Sequence, residues 1–116
     1  MSITRIQPGK RMSAAVVHGN TVYLAGQVAN DSSGSIEVQT AETLAIIDGL
    51  LAEAGTSKSK LLSCQVILSS MGDFAAMNSV WDNWVDPANK PARATIEARL
   101  ADPALKVEII AIAALD

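Results

Sequence analysis

Two apolar periodicities alternate along the 116-residue chain. Ser13 to Val17 reads as a strand, His18 to Thr21 carries turn chemistry, and Val22 to Ala25 continues apolar, so a hairpin is expected. Ahead of it, Met1 to Arg11 is polar and broken by Pro8 and Gly9, which suits a leading strand or arm. Asn30 to Ser35 is a loop by composition. From Val38 to Ala54 the period lengthens: Ala41, Leu44, Ile47, Leu51 and Ala54 recur at three and four, and Gly55 stands where a helix ends. Leu61 to Leu68 returns to period two, with Leu62, Cys64, Val66 and Leu68 on the apolar side. A second helix is expected over Phe74 to Val85, with Asp73 as N-cap and Met77, Val80, Trp81 and Trp84 as its stripe.

After Pro87 and Pro91 come two further candidate strands. Period two separates Arg93, Thr95, Glu97 and Arg99 on one face of the first from Ala92, Ala94, Ile96, Ala98 and Leu100 on the other. The second, Val107 to Leu115, is apolar on both faces and carries one charge, Glu108. A strand of that kind must be covered on both sides, which also shields Glu108 in part. The pattern therefore predicts an α+β layer, a mixed β-sheet with two helices on one face. Ala94, Ile96 and Ala98 suit the helix side. If the last two strands pair in matching register, Arg93 and Glu108 lie near Ile110 and Ile112 on the other face. An apolar sheet face left bare on so small a chain implies a homo-oligomer with Arg93 and Glu108 near the subunit boundary.

Composition narrows the partners. The length suits a single domain over residues 1–116. Hydrophobic residues make up 49% and charged residues 18%, which excludes a disordered chain. A net charge of −3 offers no basic footprint for nucleic acid or an anionic membrane, so an anionic ligand needs a local site. With Cys64 as the one cysteine, no intramolecular disulfide or thiol-based metal site can form. MSITRIQPGKRM has no apolar signal core, and no apolar run approaches the roughly 20 residues of a membrane span. A cytoplasmic location is the expectation.

No phosphate loop, HExxH, CxxC or GxSxG motif is present. His18 reads as an exposed turn residue and Cys64 as a small core residue. Arg93 admits two readings. It can belong to a solvated face on which Arg93 and Arg99 flank Glu97, or its planar fork of donors can clamp a carboxylate. Glu108 can be one half of an ordinary ion pair, with an arginine or Lys106, or a general acid/base or water-orienting group. Gly26 can mark a bulge or a place where backbone approaches a ligand or another chain closely.

The segments GNTVYLAGQVA, QTAETLAIIDGLLAEAG, DFAAMNSVWDNWV, PARATIEARL and KVEIIAIAA, in that order and spacing, resemble the YjgF-like reactive intermediate deaminase (RidA) family over nearly the whole chain. The resemblance implies a chorismate-mutase-like fold assembled as a homotrimer with ligand clefts between subunits. It also implies cofactor-free hydrolysis of 2-enamino and 2-imino acids such as 2-aminoacrylate. By position, Arg93 matches the arginine that grips the substrate carboxylate, Glu108 the glutamate linked to the attacking water, and Asn78 a cleft residue of the second helix. Gly26 falls where family backbone lines the cleft. Met12 stands about where many members carry tyrosine, Ala25 replaces a common serine, and Thr95 replaces a common cysteine beside the arginine. These changes in the lining point to a subgroup other than the best-known one. Two other functions compete: a non-catalytic module that binds or senses small carboxylates such as 2-oxo acids, and RNA binding or cleavage, which the acidic balance opposes.

Overall fold

A computed structural model describes residues 2–116. Met1, the first residue of the expected arm, lies outside them. The arm is a strand, β1 (Ile3–Pro8), and it precedes the expected hairpin of β2 (Ser13–His18) and β3 (Thr21–Leu24). Helix α1 (Ile36–Ala54), β4 (Leu61–Leu68), α2 (Phe74–Trp84), β5 (Ala92–Glu97) and β6 (Val107–Ala114) follow. All six strands form one sheet in the order β1-β2-β3-β6-β4-β5. β4 and β5 run parallel, and every other neighbouring pair is antiparallel. A parallel pair needs a crossover, and α2 supplies it.

The last two strands do not pair with each other. β6 lies between β3 and β4, and β4 separates it from β5. This central position accounts for the apolarity of β6 on both faces. Val107, Ile109, Ala111 and Ala113 are buried toward the helices, while Glu108, Ile110 and Ile112 are half-buried on the open face.

The orientation of β5 is the reverse of the expected one. Arg93 and Thr95 lie in register with Cys64 and Val66, whose side chains are buried on the helix face. Ala92, Ala94 and Ile96 instead share the open face with Ser63, Gln65 and Ile67. Glu97 is not screened by flanking arginines; its carboxylate accepts from the Met71 amide at 2.7 Å. β5 ends there, which leaves Ala98 to Leu100 outside the strand.

Helix α1 starts at Ile36 behind Ser35, whose hydroxyl accepts from Val38 N, and ends on Gly55 at φ +92°. Leu44, Ile47 and Leu51 are fully buried, each worth about 1.5–3 kcal/mol of apolar transfer. Of the expected stripe only Ala41 is exposed, and beside that stripe the buried face also includes Gln39, Thr40 and Thr43. Each threonine hydroxyl donates to the carbonyl four residues back at 2.7 Å. Gln39 donates to Ser32 O, Gly34 O and Ala104 O and accepts from Lys106 N, so it ties both loops to the helix. In β4 the bulge between Leu61 and Ser63 turns Leu61 inward and leaves Leu62 51% exposed. Asp73 occupies the N-cap position of α2 without a capping hydrogen bond from its side chain. No helix among the described residues is long and apolar enough to cross a membrane.

Candidate functional site

Arg93 is held by aromatic surfaces. Its guanidinium carbon lies 4.9 Å from the Trp81 ring centroid and 6.0 Å from that of Phe74, and Nη1 is 3.9 Å from Met77 Sδ. Such stacking orients a guanidinium while leaving its in-plane donors for another acceptor. Among the described residues no carboxylate engages it, and the soft methionine sulfur is its one hydrogen-bonding partner. A solvated ladder with Glu97 and Arg99 is thereby corrected to a half-buried cation beneath α2.

Glu108 stands elsewhere. Its register partner on β4 is Ile67, whereas Arg93 registers with Cys64 and, across β4, with Ala111. Two strand spacings and three residues along the strand put the two Cα atoms roughly 14 Å apart. The side chains also leave opposite faces of the sheet, so the expectation that they share one face within a chain is overturned.

Gly26 meets Glu108 directly. The β3–β6 ladder passes from Tyr23↔Ile112 to Gln27↔Ile109, so three residues, Leu24 to Gly26, oppose two on β6. This is a bulge, closed by paired bonds between Gln27 and Ile109 at 2.9 and 3.0 Å. A Cβ on Gly26 would collide with the Glu108 carboxylate, whose Cδ would be 2.9 Å away. The bulge reading of the glycine holds, and the group packed against it within the chain is the Glu108 carboxylate. Met12, 66% exposed, belongs to the same end of the sheet through β2, where Ala25 N donates to Ala14 O.

The candidate residues thus fall into two groups. Arg93 and Thr95 lie on the helix face of β5 and Asn78 on α2, while Glu108 and Gly26 meet between β6 and the end of β3, with Met12 just ahead of β2. A groove of about 430 Å³ crosses the open face past Gln65, Ile110 and Ile112 and reaches Arg93. A larger concavity, about 660 Å³, follows the Ala98–Leu105 loop and includes none of the six candidates. Two carboxylates on it serve the backbone, Glu97 toward Met71 N and Asp102 toward Ala104 N. Of the six candidates the groove includes Arg93 alone, so neither concavity gathers the two groups within one chain. Phe74 and Trp81 escaped the sequence reading as supports for Arg93, although their i, i+7 spacing on α2 places them on one side of the helix.

Cys64 is buried beside Arg93. Burial pushes its thiol from 9.0 up to about 11, against the opposing pull of the Arg93 charge. Below pH 9 the thiol is protonated in both folded and unfolded chains, and its contribution to stability is complete. Between 9 and 11 only the unfolded chain ionises, so stability falls by about 2–3 kcal/mol across that window. Urea titrations from pH 8 to 11 should show a steeper alkaline loss for wild type than for Cys64→Ala. Parallel profiles would contradict this account of the thiol.

The architecture is that of a chorismate-mutase-like α+β protein. A YjgF-family structure from Neisseria meningitidis superposes with a TM-score of 0.97 at 41% identity, covering 100% of this chain and 97% of that one. Residues 2–115 match the family model described as Endoribonuclease L-PSP. A RutC family protein of Haemophilus influenzae is 47% identical over 97% of this chain and 98% of its own length. The RutC family protein YoaB of Escherichia coli is 44% identical over 99% of this chain and 100% of its own. The chain belongs to the YjgF/RidA-like family.

Proposed function

We propose that the protein hydrolyses 2-imino and 2-enamino acids, such as 2-aminoacrylate, to 2-oxo acids and ammonia in clefts between the subunits of a homotrimer. The observation that carries this reading is the Arg93 guanidinium, fixed by Trp81, Phe74 and Met77 and engaged by no carboxylate among the described residues. A planar carboxylate matches that fork in bidentate fashion. In a 2-imino acid the carboxylate is one bond from C2, so a group acting on C2 must come within a few ångströms of Arg93. Glu108 of the same chain lies too far away and on the other face, which favours Glu108 of a neighbouring subunit.

The open face supports such an assembly, since Tyr23 and Ile96 are 46% and 41% exposed there, beside Ile110 and Ile112. A sheet face of this kind suits burial against another copy. In the resulting cleft, Arg93, Asn78 and Thr95 come from one subunit and Glu108, Gly26 and Met12 from the next.

The reaction needs little from the protein. An imine carbon is already electrophilic. Glu108 orients a water and takes its proton as oxygen bonds to C2; the nitrogen gains protons, and the tetrahedral adduct collapses as the C–N bond breaks to release ammonia and leave the 2-oxo acid. The balance of 9 basic to 12 acidic residues favours a small anion over RNA as the ligand.

Imines generated by an amino-acid oxidase, with ammonia release as the readout, test the proposal directly. Arg93→Lys keeps the charge but loses the fork, and kcat/KM should fall roughly 100-fold, chiefly through KM. An unchanged kcat/KM in Arg93→Lys, or no acceleration by wild type, would remove the reading.

A further inference from the structure

The last turn of α2 is tied down from two sides. Trp84, the final residue of the helix, is half-buried, and an indole there could leave its N–H in water. Instead Nε1 donates to Asp48 Oδ2 on α1 at 2.9 Å. Lys58, from the turn ahead of β4, lies over the same ring at 5.3 Å from its centroid, and its Nζ donates to the Trp84 carbonyl. That carbonyl is one of the acceptors a helix end leaves free, and a cation there opposes the negative end of the helix dipole. The last turn of α2 has no basic residue of its own, so the cation comes from outside the helix.

A series of contacts joins this clamp to Arg93. The rings of Trp84 and Trp81 meet with centroids 5.5 Å apart and planes tilted by 53°. Trp81 in turn lies 4.9 Å from the Arg93 guanidinium carbon. Of the two rings beside that guanidinium, Trp81 is the better held, being 6% exposed against 39% for Phe74. At the opposite end of α2, Asp73 gives no capping bond from its side chain. The side-chain hold on the helix is therefore at Trp84, one turn from the ring that supports the arginine.

The geometry points to Trp84 as a positioning residue for Arg93: clamped by Asp48 and Lys58, its ring fixes that of Trp81, which sets the plane of the guanidinium. The inference rests on Arg93 as carboxylate anchor and adds how the fork is aimed. A bidentate grip needs the guanidinium and carboxylate planes to match, whereas attraction between charges does not. A loosened Trp84 leaves Arg93 charged but misaimed, which weakens carboxylate binding and spares the chemical step. A merely structural role would lower stability and the active fraction, while the folded chains kept their affinity.

The indole N–H groups make the test direct, because Trp81 and Trp84 are the chain's two tryptophans. Pyruvate, the 2-oxo acid that 2-aminoacrylate becomes, serves as the probe. In nitrogen–proton NMR spectra of the whole protein, pyruvate should shift the Trp81 indole signal saturably, and Arg93→Ala should abolish the response. The dissociation constant should rise about tenfold in Trp84→Leu, the upper scale of one aromatic pair. It should rise about threefold in Asp48→Ala, which removes the acceptor of the indole N–H. Asp48→Asn keeps an acceptor there and should stay within about twofold of wild type. In imine hydrolysis the same factors should appear in KM, with kcat within about twofold. Unchanged dissociation constants in Trp84→Leu and Asp48→Ala overturn the inference while the proposed function stands. A loss in Asp48→Asn as large as in Asp48→Ala traces the effect to charge and also overturns it. Absence of Arg93-dependent pyruvate binding in wild type removes the carboxylate anchor itself. Asp48 is exposed on α1, so its variants keep the inference open to refutation even if Trp84→Leu fails to fold.

Discussion

Co-expressed Arg93→Ala and Glu108→Ala chains are expected to recover about a quarter of wild-type imine hydrolysis, although each variant alone loses nearly all of it. The number follows from symmetry. Random assembly of equal amounts makes about three-quarters of the trimers mixed, and each mixed trimer contains one cleft in three with both residues intact. Complementation arises because Arg93 and Glu108 point from opposite faces of one sheet and are separated by β4. Two affinity tags isolate the mixed species, and light scattering should give about 36 kDa, three chains of 12.1 kDa. If the mixture stays as inactive as its parents while mixed trimers form, the cleft does not join Arg93 of one chain to Glu108 of the next. A monomer would remove the shared cleft altogether.

Replacing Gly26 with alanine should separate activity from stability. The new methyl group would occupy the space held by the Glu108 carboxylate. That carboxylate is the far end of a flexible side chain, so it can swing aside at small cost, within about 1 kcal/mol of unfolding free energy. If Glu108 directs water as proposed, that water would lose its guide, and kcat should fall on the order of 100-fold, the low end of a general acid/base contribution. KM should change little, because Arg93 is untouched. Ammonia-release kinetics together with urea unfolding provide the comparison. Retained kcat would show that Glu108 does not act from the position Gly26 allows it.

The periods of three to four and of two placed both helices and the later strands to within a few residues, and the apolar face of β6 that includes Val107, Ile109, Ala111 and Ala113 is buried as expected, while its other face is half-buried. Three failures have physical causes. Gln39, Thr40 and Thr43 look like a solvent face, yet local hydrogen bonds satisfy the hydroxyls and four loop contacts satisfy the amide, so they enter the core. Alternation reports polarity and not which side the helix occupies, so the polar side of β5 faces the helices where the pattern predicts the open face. A long arginine can lay its stem under α2 while aromatic faces hold its head. The order β6-β4-β5 was hidden because consecutive strands are neighbours only about two-thirds of the time. Arg93 and Glu108 could be picked out by residue type, but their opposite faces required the strand order.

The position of β5 at the end of the sheet also governs how the site can change. β6 has a strand on both sides, β4 along its length and β3 with the Gln27 bridge on the other, so Glu108 sits in the interior of the sheet. β5 is paired on one side only, to β4, and its outer backbone groups have no strand partner among the described residues. The proposed water-directing group is thus mounted on an interior strand, and the proposed substrate grip on an edge strand whose arginine packs against α2. Drift in sequence around Arg93 can reshape the grip without disturbing the group that would act on water, and chemistry and selectivity can evolve on separate parts of the same small sheet.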